Sequence, residues 1–232
     1  MNVYKKGLYD GIPICLGYIS VSFAFGLMAT KSGLSILSSL IISMTNLTSA
    51  GQFAGLEIIK SNGTLIELTV AMFIINIRYM LMSLSLSQKV NTEIGTLKRL
   101  MMSFGITDEV FAVSMQQPGK ITFTYFMGLI TLPWLGWSLG TCLGAFASSV
   151  LPELIRHSLG IAIYGMFLAI IIPPAKKSRL VLNVILIAVS ISIILHITPF
   201  LKNLSGGWRI IISTVLASGI GAILYPKEDE TE

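Results

Sequence analysis

A hydrophobic run at residues 64–87 that carries an arginine near its middle most constrains the fold of this chain. A helix of about 20 apolar residues crosses a bilayer core, and this run has that length. With a helical rise of about 1.5 Å per residue, Arg78 lies well inside the hydrocarbon layer. An arginine there costs about 2.5–3.5 kcal/mol on insertion scales, so it is expected to face a polar cavity or an acidic partner. Arg78 is therefore the first candidate functional residue.

The rest of the chain shares this apolar character. Of the 232 residues, 53% are hydrophobic and only 12% are charged, whereas a soluble domain carries about 25% charged residues. The net charge of +5 lies in short gaps between apolar runs, and not on a soluble nucleic-acid-binding domain. We therefore expect one all-α membrane transport domain over residues 1–232, embedded in the lipid bilayer. It would have a basic N-terminus at residues 1–10 and an acidic C-terminal tail at residues 226–232.

A second apolar run, at residues 34–59, has an unusually polar centre. Small and polar residues occupy that centre: Thr45, Asn46, Thr48, Ser49, Ala50, Gly51 and Gln52. Non-helical backbone is tolerated at membrane depth only where protein or water satisfies it, so the pattern predicts a broken or re-entrant helix. In transporters such breaks place free backbone groups beside the substrate. The alternative is a continuous helix whose small residues only pack against neighbours.

Further apolar runs predict more crossings. They lie at residues 11–29, 121–150, 158–172, 180–197 and 208–225. Pro13 suits the first turn of the first helix, and Gly136, Gly140 and Gly144 predict close helix packing. The interrupted segment at residues 97–115 indicates an interfacial helix or a second re-entrant piece. Glu67 is expected at a solvated interface.

Positive charge sets the predicted topology. Lysines and arginines at residues 5–6, 89–99 and 176–179 mark these segments as cytoplasmic. An even number of crossings must then separate the first two segments, although three apolar runs lie between them. The run at residues 34–59 is the one expected not to cross, which leaves about six crossings of bilayer length plus one broken or re-entrant helix. An external N-terminus is the rival topology, and Lys5 and Lys6 disfavour it.

Several kinds of chemistry find no support in the sequence. His157 and His196 lie far apart and have no histidine or cysteine at ligand spacing, so we expect no metal site. The phosphate-binding pattern GxxxxGK[ST] is absent, which argues against coupling to ATP within this chain. Ser148 and Ser149 near His157 are an arrangement expected by chance in a serine-rich chain. We therefore expect no enzymatic activity and no cofactor.

The polar residues within apolar surroundings form the candidate site. They are Gln52, Asn76, Arg78, Asp108 and Glu109. The planar guanidinium of Arg78 suits a carboxylate because it donates two parallel hydrogen bonds. Asp108 or Glu109 would neutralise Arg78, bind an ammonium group or carry a coupling proton, since burial raises the pKa of a carboxyl group. The alternative is that Arg78 and Asp108 form a purely structural ion pair.

Four stretches resemble the large subunit of the branched-chain amino-acid exporters, the AzlC family. They are GIP at residues 11–13 with the following GYISVSFAFG, SAGQF at 49–53, NIRY at 76–79 with LMSLSLS, and ITDEVFA at 106–112. The stretches occur in the family's order and spacing, and the resemblance covers about residues 7–225. One departure is Thr48-Ser49, where the family more often has an Ala-Gly pair.

The resemblance implies export of leucine, isoleucine and valine, with methionine as a further candidate, across the bacterial inner membrane. It also implies a small membrane partner of the AzlD type. The site roles come from the residues themselves: we expect Gln52, Asn76 and Arg78 to bind substrate, and Asp108 and Glu109 to serve as proton-coupling or counter-charge groups. The alternative function is a non-transporting scaffold or regulatory membrane subunit.

Overall fold

A computed structural model describes residues 2–150, 168, 171–198 and 204–225. Its regular secondary structure in these residues is helical. The named helices are α1 (Val3–Lys31), α2 (Ile36–Thr45), α3 (Ser49–Lys60), α4 (Leu65–Lys89), α5 (Thr96–Phe104), α6 (Asp108–Gln116), α7 (Phe123–Val150), α8 (Arg179–Ile197) and α9 (Gly206–Leu224). Residues 171–177 are also helical. The prediction of an all-α membrane protein is confirmed.

Five of these helices, within the part of the chain that is described, are long and apolar enough to cross a membrane. They are α1, α4, most of α7, α8 and α9. The predicted crossing at residues 158–172 lies mostly outside the described residues, as does the acidic tail. One boundary was wrong: α1 begins at Val3, before the apolar run, so Pro13 lies inside the helix and not in its first turn.

Two breaks interrupt the helices where the sequence predicted interruptions. Residues 46–48 separate α2 from α3, and residues 105–107 separate α5 from α6; we call them the first and second break. The backbone of Asn46 is extended, with φ −147° and ψ 121°. At the second break the Thr107 side chain accepts a hydrogen bond from the Val110 amide and so caps α6. The broken helix at residues 34–59 is confirmed, and whether this run crosses or re-enters stays a prediction.

The chain divides into two compact units. Unit 1 comprises Met1–Phe53 and Asn76–His157, and unit 2 comprises Ala54–Ile75 and Ser158–Glu232. Helices α3 and α4 each contribute residues to both units. The single transport domain over residues 1–232 stays a prediction.

Close packing of α7 along α1 forms the centre of unit 1. A side chain at Gly136, Gly140 or Gly144 of α7 would collide with atoms of α1, so the predicted glycine ladder does allow close approach. Phe126 and Trp137 of α7 are almost fully buried in the same hydrophobic core. Helix α7 is therefore a fixed support against which the broken helices are positioned.

Several basic residues of unit 1 gather at one end. Lys6 donates to the side chain of Gln117 at 3.0 Å, and Lys120 donates to the carbonyl of Gln88 at 3.0 Å. The N-terminus, the end of α4 and the segment after α6 therefore share one end of this unit. This arrangement agrees with placing Lys6 and the 89–99 loop on the same side of the membrane.

Unit 2 overturns the expectation for Glu67. Its side chain is only 2% exposed, and it accepts hydrogen bonds from the Ser205 hydroxyl and, at 2.9 Å, from the Trp208 amide. The carboxylate thus satisfies the first turn of α9, where free amides favour an anion. Gly207 makes room for it, because any side chain there would collide with Glu67. Glu67 is a buried link between helices and not a solvated charge.

Candidate functional site

An exposed ion pair joins α4 to the start of α6. The Arg78 Nη1 atom lies 2.7 Å from Asp108 Oδ2, and the two side chains are 45% and 48% exposed. The Arg78 guanidinium also lies 5.0 Å from the ring centroid of Tyr79 and 3.4 Å from its hydroxyl, a cation–π arrangement. Of the two surroundings expected for Arg78, a polar cavity or an acidic partner, the structure places an acidic partner beside it. About half of each charged side chain is left uncovered by the rest of the protein.

Asp108 is the first residue of α6, a short helix that is not among the candidate membrane spans. Desolvation raises the pKa of this carboxyl above its usual range; the Arg78 guanidinium opposes the shift and the Glu109 carboxylate adds to it. Asp108 therefore binds a proton at a higher pH than an ordinary aspartate. Any ligand that draws Arg78 away would raise this pKa further, because it would remove the nearest positive charge.

Glu109 is held by a tyrosine from α1. The Tyr18 hydroxyl lies 2.7 Å from Glu109 Oε2 and 2.6 Å from Thr107 Oγ1. Its one proton can serve either acceptor. The Tyr18 ring packs edge-on against Trp137, with centroids 5.1 Å apart and planes at 75°. The second break is thus tied to the α1–α7 core through one hydroxyl group.

Gln52 satisfies the polar atoms of the first break. It is 4% exposed, and its amide nitrogen donates to the carbonyl oxygens of Asn46 at 2.6 Å and Ile42 at 3.4 Å. Its amide oxygen accepts from Trp137 Nε1 at 3.2 Å and from Ser43 at 3.4 Å. The interruption of the helix frees carbonyl groups, and a buried carbonyl without a donor would cost about 1–3 kcal/mol. Gln52 therefore holds the break in place.

Asn76 on α4 binds the same break from another direction. Its Oδ1 atom accepts from the Thr48 hydroxyl at 2.6 Å, while Thr48 Oγ1 accepts from the Gly51 amide at 3.3 Å. Among the described residues, no hydrogen bond engages the Asn76 amide nitrogen. Asn76 therefore fixes the first break through its oxygen and offers two N–H donors to a ligand.

All five predicted residues belong to one chain of contacts in unit 1, which we call the polar network. In order, its members are Asn76, Thr48, Asn46, Gln52, Trp137, Tyr18, Glu109, Asp108 and Arg78. Asn76 and Arg78 lie two positions apart on α4 and so point in different directions. The network therefore links both breaks to α4 and does not place all five side chains around one point.

Comparison with known proteins gives the network a family context. The profile of the family described as AzlC protein matches residues 13–151, which is more than half of the chain. The chain belongs to the AzlC family. It is similar to the inner membrane protein YgaZ of Escherichia coli K12, with 27% identity over 76% of this chain and 75% of that protein. No solved structure matches the chain.

A second AzlC-like relative comes from an archaeon. An uncharacterized membrane protein of Archaeoglobus fulgidus is 31% identical over 75% of this chain and 77% of its own length. The names of both relatives identify membrane proteins, and the AzlC-family chain has several apolar helices of spanning length. It is a multi-pass membrane protein of the cell membrane. The segment that matches the family contains every residue of the polar network.

Sequence reasoning missed four members of the network: Tyr18, Asn46, Thr48 and Trp137. Tyr18 lies in an apolar run, where an aromatic side chain is most simply read as a core residue. Trp137 also lies in an apolar run, where it is most simply interpreted as an interface or packing residue, although a buried indole N–H needs an acceptor. Asn46 and Thr48 are predicted only as part of the polar centre of residues 34–59. The signal available in advance was that each carries a polar atom inside an AzlC-family apolar run.

Proposed function

We propose that this AzlC-family chain is the large subunit of a secondary exporter of branched-chain amino acids. Its substrates would be leucine, isoleucine and valine, with methionine as a further candidate. Family membership and the multi-pass membrane architecture support a transporter subunit. The observation that carries the proposal is the accessible Arg78–Asp108 pair at the second break of a membrane chain, because broken helices and intramembrane charges mark transport sites.

In this proposal the substrate carboxylate competes with Asp108 for Arg78. The guanidinium donates two parallel hydrogen bonds to a carboxylate, and its Nη1 atom is the one now bound to Asp108. Substrate binding would leave the Asp108 carboxylate without its cation, so Asp108 would take up a proton. Export of the amino acid would then be coupled to proton movement through Asp108, with Glu109 adding negative charge beside it.

The first break would have a different part in transport. Gln52 and Asn76 keep residues 46–48 non-helical, and the amide nitrogen of Asn76 supplies a donor at the edge of the break. Movement of one group of helices against another around the two breaks would expose the substrate to each side of the membrane in turn. The aliphatic side chain of the substrate needs only apolar neighbours, which the surrounding helices supply.

We also propose that the exporter needs a small membrane subunit of the AzlD type. The most apolar window of α8 is only 6% buried within the chain, so α8 has apolar surface to offer to lipid or to such a subunit. Transport by the pair and not by the large chain alone is the expected behaviour.

Leucine efflux from cells preloaded with a leucine dipeptide tests the proposal. The comparison includes the chain alone, the chain with its small subunit, and the pair carrying Arg78→Ala or Arg78→Lys. We expect efflux from the unchanged pair and its loss in both variants, because lysine keeps the charge but lacks the two-pronged donor. Normal efflux with Arg78→Lys would show that transport needs only a positive charge at position 78. No efflux from a pair verified in the membrane would favour the scaffold alternative.

A further inference from the structure

A cleft in unit 1 lies between the end of α4 and α5. Two stripes with the same helical spacing line it: Ser83, Leu86, Ser87 and Val90 from one side, and Arg99, Met102, Ser103 and Ile106 from the other. Residues spaced i, i+3 and i+4 share one helix face, so Ser83, Leu86 and Ser87 of α4 face Arg99, Met102 and Ser103 of α5 along the cleft. Val90 and Ile106 come just after the two helices. Its volume is about 170 Å³, well below the roughly 300–1,000 Å³ of drug-sized pockets. It suits a molecule of the size of one amino acid.

Arg99 supplies a positive charge at this cleft. Its Nε atom donates to the Ile94 carbonyl at 2.9 Å, and Nη2 lies 3.4 Å from the Asn91 carbonyl. These bonds fix the guanidinium without neutralising it. In the described part of the chain, Arg99 forms no salt bridge and its Nη1 atom has no hydrogen-bond partner. The arginine is thus positioned, half-buried and still able to bind a carboxylate.

The serines of the cleft provide acceptors for a positive group. Ser87 and Ser103 each donate their hydroxyl proton to a carbonyl of their own helix at 2.7 Å, which leaves oxygen lone pairs for another donor. The Ser83 hydroxyl has no partner among the residues that the structure describes. Leu86, Met102 and Ile106 supply apolar walls. The cleft therefore combines a cation, hydroxyl acceptors and an aliphatic surface within one small volume.

We propose that the α4–α5 cleft is a second binding site for a zwitterionic branched-chain amino acid, distinct from the Arg78 site. Arg99 binds the carboxylate, the serine hydroxyls accept from the ammonium group, and the aliphatic side chain packs on the apolar wall. Ile106 belongs both to this cleft and to the second break, so the cleft adjoins the Asp108 end of the polar network. This inference rests on the proposed transport function and deepens it, because it assigns a place where substrate waits before reaching Arg78.

Protection of a cysteine placed in the cleft tests this site. The Ser103→Cys chain, expressed with its small subunit in membrane vesicles, is labelled with a charged maleimide in the presence and absence of L-leucine. The unchanged chain gives the background from Cys15 and Cys142, and Leu97→Cys, on α5 outside the cleft, is the matched control. We expect leucine to slow labelling several-fold at position 103 and to leave position 97 unaffected. Equal rates at position 103 would overturn the proposal.

Filling the cleft gives an independent check. Ser83→Leu adds bulk where no hydrogen bond is lost, so folding should be preserved, and Ser85→Leu makes the same change outside the lining. We expect Ser83→Leu to abolish protection of the cysteine at position 103 and to raise the leucine concentration needed for half-maximal efflux several-fold. Unchanged protection in the Ser83→Leu chain would contradict the site.

Ligand analogues and lipids identify the occupant. Leucinamide lacks the carboxylate and isovalerate lacks the ammonium group, so neither should protect as leucine does; equal protection by isovalerate would overturn the zwitterion assignment. Protection that depends on phosphatidylglycerol in the vesicles, and not on leucine, would assign the cleft to an anionic lipid and overturn it as well. Leucine protection without leucine efflux would leave the site standing and refute transport. Leucine efflux without protection at position 103 would support transport and refute the cleft site.

Discussion

The two breaks of unit 1 use opposite means to stabilise non-helical backbone. The first break is neutral and closed: Gln52 is buried, and its amide binds the carbonyl oxygens that the interruption leaves free. The second break is charged and open: Asp108 and Glu109 stand at the N-terminus of α6, and the Arg78–Asp108 pair is about half exposed. A buried amide is suited to holding a shape, whereas exposed carboxylates beside an arginine are suited to exchanging partners and protons.

This difference suggests a division of labour. Carboxylates at the start of a helix are stabilised by its free amides, so these amides and the half-exposed Arg78 together stabilise the two charges of α6. Tyr18 then connects Glu109 to the core through its hydroxyl and through its ring contact with Trp137. Trp137 in turn binds Gln52 of the first break. The neutral break is expected to govern stability and the charged break to govern transport.

Gln52→Leu should have the largest effect on stability. Leucine cannot bind the Asn46 carbonyl or the Trp137 indole, and each buried group left unpaired costs about 1–3 kcal/mol. We expect a clear drop in the thermal unfolding temperature of the purified chain. Gln88→Leu, an exposed amide, is the matched control and should change it little. A Gln52→Leu chain as stable as the unchanged one would contradict the assigned role of the first break.

Asp108→Asn should affect transport more than stability. Its shape is kept while its charge and its titration are lost, and its raised pKa lets Asp108 take up a proton at a higher pH than an ordinary aspartate does. We expect leucine efflux to lose its response to an imposed pH gradient. The exposed loop residue Glu93, changed to Gln, should leave that response intact. A pH response that survives Asp108→Asn would remove Asp108 from proton coupling.

Tyr18→Phe should have the smallest effect of the three. It removes one hydroxyl that serves Glu109 and Thr107. A hydrogen bond to a charged group contributes about 1.5–3 kcal/mol to stability, and water can replace the lost donor at the exposed Glu109. We expect a modest loss of thermal stability together with reduced efflux, since the second break loses its tie to α1. Tyr9→Phe, at an exposed position of the same helix, should be neutral. Unchanged stability and efflux in the Tyr18→Phe chain would show that the Tyr18 hydroxyl does not couple the two breaks.

The sequence predicted the outline of this molecule better than its connections. The polar centre of residues 34–59 predicted the first break because small and polar residues stand where lipid-facing helices need apolar ones. For the same reason Arg78 was expected to face a polar cavity or an acidic partner. The sequence offered Asp108 and Glu109 as counter-charges and the Arg78–Asp108 pair as a structural alternative. The placement of α6 against α4 decides that Asp108 contacts Arg78.

Glu67 shows why local sequence can mislead. It stands at the start of an apolar run, where a charged residue normally marks the membrane surface. Its burial depends on Gly207 and Ser205, more than a hundred positions later in the chain, whose small size and free amides form a binding site for a carboxylate. Such a long-range fit leaves no periodic signal in either segment. The role of Tyr18 escaped prediction for the same reason.

The most direct test of the account reverses the charges of the pair. Arg78→Asp and Asp108→Arg are made singly and together, and leucine efflux is measured beside thermal stability and membrane level, as in a double-mutant cycle. Each single change should lower both stability and efflux. We expect the double change to recover stability but not efflux, because the arginine that binds the substrate carboxylate is no longer on α4. Recovery of efflux in the double variant would show that the pair is purely structural and would contradict the account.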